Sequence, residues 1–296
     1  MKPGWLFNQK LLVALALLSL YFIWGSTYLA MRFAIDSFPP FMMAAMRFTI
    51  AGFLLYVFLR LYGRPNPPLK EWLGSLVVGF LLLAVGNAGV AYAEKTVSTS
   101  IAALVISTVP LWMAIFSGLW GKWPGKREWL GVIIGTFGVA LLSLNGTIQA
   151  SPLGAFLLLL SAMAWSFGSV WGKYLPMPQG AMASATQMLT GGIVLIFVSV
   201  LAGEHWPAAP TRDSVLAMVF LVVLGSLVAY SAYLYLLKTV RPLLATSHTF
   251  VNPLVAIFLG AWLAHEAVGI VEYAALAIII TGVALVITQP ARPINA

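Results

Sequence analysis

Trp24, Thr27 and Tyr28 are spaced i, i+3, i+4 and would share one face of a helix. Trp165, Gly168 and Ser169 repeat that spacing later in the chain. Aromatic rings beside small hydroxyl groups suit a cavity that admits the flat or aliphatic side chain of a small metabolite, although ordinary helix packing uses the same residues. Arg47 stands in an apolar run, where a guanidinium either attracts a carboxylate or bonds backbone carbonyls and holds neighbouring helices. Asn87 lies between Gly86 and Gly89 in another such run, and Tyr230 and Tyr233 occupy a matching one. His248 and Asn252 share a face at i, i+4; the imidazole suits either a proton relay or a hydrogen bond within a bundle. Trp112 follows Pro110, and Asn252 precedes Pro253. A proline inside a helix frees a carbonyl one turn earlier. Pro110 and Pro253 are therefore read as hinges, as sources of a polar group facing a cavity, or as kinks that are merely tolerated.

The elements that must position these residues follow from composition. Of 296 residues, 61% are hydrophobic and only 8% charged, against roughly 25% charged in soluble domains. This excludes an aqueous enzyme or nucleic-acid-binding protein. The absence of cysteine excludes a disulfide scaffold, Cys-ligated zinc, iron–sulfur clusters and thiol catalysis. A spanning helix needs ~20 apolar residues, and ten such runs are expected, near 11–35, 39–61, 71–94, 98–121, 127–145, 152–175, 179–202, 213–238, 242–264 and 268–289. Runs such as 76–85 and 278–286 do not alternate as barrel strands would. The first run continues past Met31 into the second, so it reads as a retained helix and not a cleaved leader. Arg47 then sits eight residues into its helix, roughly 12 Å deep at 1.5 Å per residue.

Charge sets the expected orientation. Twelve of the 16 Lys and Arg fall on the side that carries both termini, three fall opposite, and Arg47 is inside a span. Positive residues mark the cytoplasmic side, so both termini are expected there and the +8 net charge requires no nucleic acid. The chain also repeats itself. Lys95-Thr96-Val97 recurs as Lys238-Thr239-Val240, and Tyr92, Pro110-Leu111 and Gly25-Ser26 recur at the same offset of 143. Asn87 pairs with Tyr230 at that offset. Two units, 1–147 and 148–296, are therefore expected, each with five spans. An odd span count inverts the second unit relative to the first, the architecture of alternating-access carriers with a site near mid-membrane.

Trp24-Gly25-Ser26-Thr27-Tyr28, Pro39-Pro40 and Arg47-Phe48 together resemble the EamA family of the drug/metabolite transporter superfamily. The resemblance covers nearly the whole chain as two EamA units, with Gln187 near the place of Arg47 in the second. It implies an all-α membrane protein, a basket-like fold of ten transmembrane helices, in the bacterial inner membrane. It also implies export of aromatic and other amino acids through a central cavity.

All eight acids, Asp36, Glu71, Glu94, Glu128, Glu204, Asp213, Glu266 and Glu272, fall at span ends or in loops. A carrier that exchanges protons for cationic drugs needs a mid-membrane carboxylate, so facilitated diffusion is expected in place of carboxylate-driven antiport. The leading reading is an exporter of amino acids. Efflux of another metabolite or drug, such as a purine or quaternary amine, is the alternative. A membrane-embedded enzyme acting on lipids would need acidic or His-Glu metal ligands; no His-Glu-x-x-His occurs and no two acids lie within three residues. No cofactor and no metal are expected, and the partners are a small-molecule substrate and the lipid bilayer. Gly131-x-x-x-Gly135 is read as packing within the chain, so a monomer is expected, with a homodimer left open.

Overall fold

The computed structural model describes residues 5–97, 99–143, 151–206, 209–255 and 269–288. Among these residues the chain is helical, with no strand. Six helices are long and apolar enough to cross a membrane: α1 (Gln9–Ile35), α2 (Pro40–Leu61), α3 (Leu69–Ala93), α7 (Pro152–Trp171), α8 (Ala181–Leu201) and α9 (Arg212–Thr239). Shorter apolar helices join them: α4 (Thr99–Ile106), α5 (Val109–Leu119), α6 (Lys126–Ser143), α10 (Pro242–Thr246), α11 (248–255) and α12 (Ile270–Ile287). The expected boundary at 147/148 and the second half of the ninth expected span lie outside the described residues.

Local chemistry sets where the helices begin. Pro40, Pro152 and Pro242 stand in the first turns of α2, α7 and α10, where a missing N–H costs nothing. Ser151 Oγ caps α7 by accepting from Gly154 N at 3.0 Å, and Thr211 Oγ1 caps α9 by accepting from Ser214 N at 3.2 Å. The start of α2 is capped from far along the chain. Glu204 accepts from the amides of Phe41 at 3.1 Å and Met42 at 2.7 Å, and Ser199 Oγ steadies it at 2.8 Å. A carboxylate at a helix N-terminus also opposes the positive end of the helix dipole.

Three helices contain π-helical stretches: Leu20–Trp24 in α1, Phe80–Asn87 in α3 and Leu221–Val228 in α9. A π turn widens the helix and breaks the regular ladder of hydrogen bonds. Neighbours use the carbonyls in two of these stretches. Trp24 Nε1 donates to Gly225 O at 3.0 Å, and Ser161 Oγ donates to Val85 O at 3.1 Å.

The fourth expected span is not one helix. It breaks at Ser107 and Thr108, whose hydroxyls turn back to the carbonyls of Leu104 and Val105 at 2.7 and 2.6 Å. Pro110 consequently lies in the first turn of α5 and kinks no continuous helix. The ninth expected span breaks at Ser247, six residues before Pro253, and Ser247 Oγ bonds Leu244 O at 2.8 Å. Pro253 sits within the helical stretch 248–255. In both places hydroxyls satisfy the backbone that the break exposes.

Glycine sets the closest helix contacts. At the α2–α8 crossing, a Cβ on Gly192 would come within 2.4 Å of Thr49 Oγ1, and one on Gly52 within 2.6 Å of Leu189 N. At the α6–α12 crossing, a Cβ on Gly131 would meet Gly282 O at 2.7 Å, and one on Gly282 would meet Gly135 N at 2.6 Å. The Gly131–Gly135 pair is thus engaged inside the chain. Elsewhere α7 lies on α3, and α9 lies on α1 and α2. An ion pair between Arg241 and Glu128 joins the start of α10 to α6. Gly192→Ala is expected to cost about 1–3 kcal/mol by overpacking and to lower the melting temperature of the detergent-solubilised protein. Leu54→Ala, on the exposed side of α2, should leave that temperature nearly unchanged.

Candidate functional site: a buried cavity between the helices

A cavity lies among α1, α2, α3, α4, α5, α7 and α11. From α1 it receives Trp24, Thr27, Tyr28 and Met31, an i, i+3, i+4, i+7 stripe. Arg47 of α2, Asn87 and Val90 of α3, Ser161 and Trp165 of α7, and His248, Thr249 and Asn252 of α11 complete most of the wall. Gly86, Ile106 and Val109 fill the remainder.

One end of the cavity is a cluster of rings. Trp24 meets Trp165 edge-on at 5.6 Å between centroids, Tyr233 at 5.3 Å and His248 at 4.8 Å. Tyr233 is fully buried and lies behind these rings. Its hydroxyl accepts from Trp165 Nε1 at 2.9 Å and pairs with Ser169 Oγ at 2.8 Å. The edge-on contacts of Trp24 with Trp165 and His248, and its tilted one with Tyr233, contribute ~0.5–1.5 kcal/mol each beyond burial. His248 Nδ1 lies 3.0 Å from Ala245 O. A carbonyl only accepts, so Nδ1 carries the hydrogen and Nε2 is left as an acceptor. This bond fits the reading of His248 as a residue anchored within the bundle.

Arg47 is 2% exposed. Its Nε donates to Ser226 Oγ at 2.8 Å, in the π stretch of α9, and its guanidinium carbon lies 4.8 Å from the centre of the Phe48 ring. Gly225 makes room for it, since a Cβ there would sit 2.9 Å from Nη2. Nη1 has no hydrogen-bond partner, and neither do Asn87 Oδ1 and Asn252 Oδ1. No carboxylate lines the cavity among the described residues. The free Nη1 of the buried cation can take an anionic or other accepting group, and the two amide oxygens on the same cavity wall can each accept from a donor.

Of the residues expected at a site, Trp24, Thr27, Tyr28, Arg47, Asn87, Trp165, His248 and Asn252 line this cavity. Tyr233 and Ser169 stand behind its aromatic wall. Tyr230 turns to Gln187, donating to Oε1 at 2.6 Å, so the residue near the repeat position of Arg47 takes part in a separate buried contact. Trp112 lies away from the lining, stacked 6.2 Å from Phe116. Met31, Val90, Ser161 and Thr249 line the cavity and carry no distinctive sequence signal; the helical period from Trp24 and from Asn87 would have reached Met31 and Val90.

Glu94 does fall at the end of a span, capping α3. Its carboxylate is nevertheless buried, and neither oxygen has a hydrogen-bond partner. Position at a helix end gave no indication of this: Lys95 and Thr96, which follow directly, are exposed, while the Glu94 carboxylate is turned inward. The chain therefore does hold a buried carboxylate, just beyond the cavity.

Comparison with known proteins places this geometry. The profile of the EamA-like transporter family matches residues 11–144 and again 152–288. The chain is 44% identical over 295 residues to the uncharacterized inner membrane transporter YedA of Escherichia coli strain K12, covering 98% of this chain and 96% of that protein. It is 29% identical over 245 residues to the uncharacterized transporter YdfC of Bacillus subtilis strain 168, covering 81% and 79% of the two chains. Protein PecM of Dickeya dadantii strain 3937 is 29% identical over 243 residues, 80% of each chain. One solved crystal structure superposes with a TM-score of 0.76 over 93% of this chain and 96% of the other, at 22% identity, a likeness of fold. The double match to the profile and the relative aligned along nearly its full length make this chain a member of the EamA-like transporter family, within the drug/metabolite transporter superfamily, and so a membrane transporter and not an enzyme.

Proposed function

We propose that the chain exports small metabolites, amino acids and aromatic ones among them, by alternating access through the cavity. The observation that carries the reading is Arg47: a buried guanidinium with an unpartnered Nη1, in a cavity walled by aromatic rings and free of carboxylates. The guanidinium suits the substrate's carboxylate, and the Trp24–Trp165 wall suits an apolar or aromatic side chain. A quaternary amine would meet a cation with no counter-charge.

The moving parts in this reading are two inverted five-helix units, 1–147 and 148–296, in a ten-helix basket. Three observations support it. The family profile matches twice, the sequence repeats at an offset of 143, and α1 meets a π-turn carbonyl of α9 as α7 meets one of α3. Rocking one unit against the other would open the cavity to each side in turn. With 12 of 16 cations on the side of the termini, both termini face the cytoplasm of a bacterial inner membrane, and the chain acts as a monomer. The cavity offers no carboxylate for a proton to share with substrate, so transport runs down the substrate's own gradient.

Counterflow in proteoliposomes tests this against amino acids, purines and quaternary amines. Phenylalanine is expected to exchange; failure of every amino acid would remove the substrate assignment and leave the transporter. Arg47→Lys is expected to cut phenylalanine counterflow tenfold or more, because one ammonium cannot both hold Ser226 and reach a carboxylate as the fork does. Retained activity in that variant would mean that charge alone suffices. Tyr233→Phe should lower the melting temperature through about 1–3 kcal/mol of lost stability, since it strands the Trp165 N–H.

A further inference from the structure

Asn87, Val90 and Glu94 follow one another at i, i+3 and i+7 on α3 and its cap, so Glu94 continues the cavity-facing stripe by one turn, about 6 Å along the axis. On α1, Tyr28 lines the cavity and Arg32 lies one turn further along in the same direction. Glu94 is close enough to both for their charges to bear on it. Arg32 is exposed and forms no ion pair with it. In the orientation proposed above, this is the outer end of the cavity.

The surroundings leave the carboxylate without a partner. No ionisable residue occurs in α4, α7 or α8, and none in the π stretch of α3. From α2, Phe41 stacks on Tyr92 at 5.2 Å, Arg47 is held by Ser226, Tyr56 is bonded to Asn66, and Arg60 bonds Arg64 O. Beside Glu94 in sequence, Lys95 lies over the Tyr92 ring at 5.6 Å. Tyr28 and Arg32 are thus the groups that face it from α1.

We propose that Glu94 is a proton-binding site that must be occupied for the outer end of the cavity to close. An ionised carboxylate buried without a hydrogen bond is too costly to retain; protonation removes the charge, and opening restores it to water beside Arg32. No bond other than O–H is made or broken, and the proton returns to the outer solution. Burial pushes the Glu94 carboxyl from its ordinary 4.5 up to about 8, against the pull of Arg32. The closed form therefore binds the extra proton between those values. Closure is favoured at low pH, weakens about tenfold per unit as pH rises through that window, and levels off above about 8.

The chain has no cysteine, so Met31→Cys supplies a single thiol at a buried cavity position near this end. Its rate of maleimide labelling in detergent reads opening and needs no substrate, so the result stands whatever the substrate proves to be. The ratio of that rate to the rate in a Glu94→Gln background cancels the thiol's own titration. The ratio is expected to rise by up to about 50-fold between pH 6 and pH 8. Glu94→Asp should retain a pH dependence, which a merely structural role would not require. A ratio constant within about twofold overturns the proposal. Should Glu94→Gln fail to fold, the rate normalised to glutathione decides in its place, and a flat profile there overturns the proposal equally.

Discussion

A charge and a backbone carbonyl that enter hydrocarbon must find their partners inside the protein. Gly225 and Ser226, in the π stretch of α9, meet that requirement for two side chains at once. The Gly225 carbonyl takes the indole N–H of Trp24, the Ser226 hydroxyl takes Nε of Arg47, and the missing side chain of Gly225 admits the guanidinium. A stranded neutral donor costs roughly 1–3 kcal/mol and a charged one more. This small contact therefore fixes α1 and α2 against α9, and through them the two walls that bear the ring and the cation of the cavity.

The rest of the cavity follows from that anchorage. With Trp24 held, its ring meets Trp165, Tyr233 and His248 from three directions, and Tyr233 ties the same cluster to α7 through Trp165 and Ser169. At the aromatic end the indole N–H groups of Trp24 and Trp165, the Tyr233 hydroxyl and His248 Nδ1 are all bonded. The opposite character belongs to Arg47 Nη1, Asn87 and Asn252, whose unpartnered atoms leave room in the hydrogen-bond inventory.

Much of this was legible in the sequence because hydropathy and helical period depend on local composition. The long spans, the α1 stripe of Trp24, Thr27 and Tyr28, and the depth of Arg47 all rest on spacing alone. What escaped was set by neighbours distant in the chain. The break at Ser107 and Thr108 is stabilised by hydroxyls that look like ordinary helix residues in sequence, so a single apolar run concealed two helices. Tyr230, which the 143-residue offset pairs with Asn87, is drawn off by Gln187. Glu94 looks like any acid at a helix end, and only the fold shows its carboxylate turned away from water.

Glu204 has a consequence for how the chain is made. The first amides of α2 are bonded by a carboxylate that emerges 163 residues after Phe41, so the early half enters the bilayer with that helix start open to water or lipid headgroups. Only when the segment beyond α8 has crossed can the cap form. Assembly of the second half thus completes the first, and a ribosome stalled before residue 204 would leave behind a chain whose second helix is inserted but unfinished.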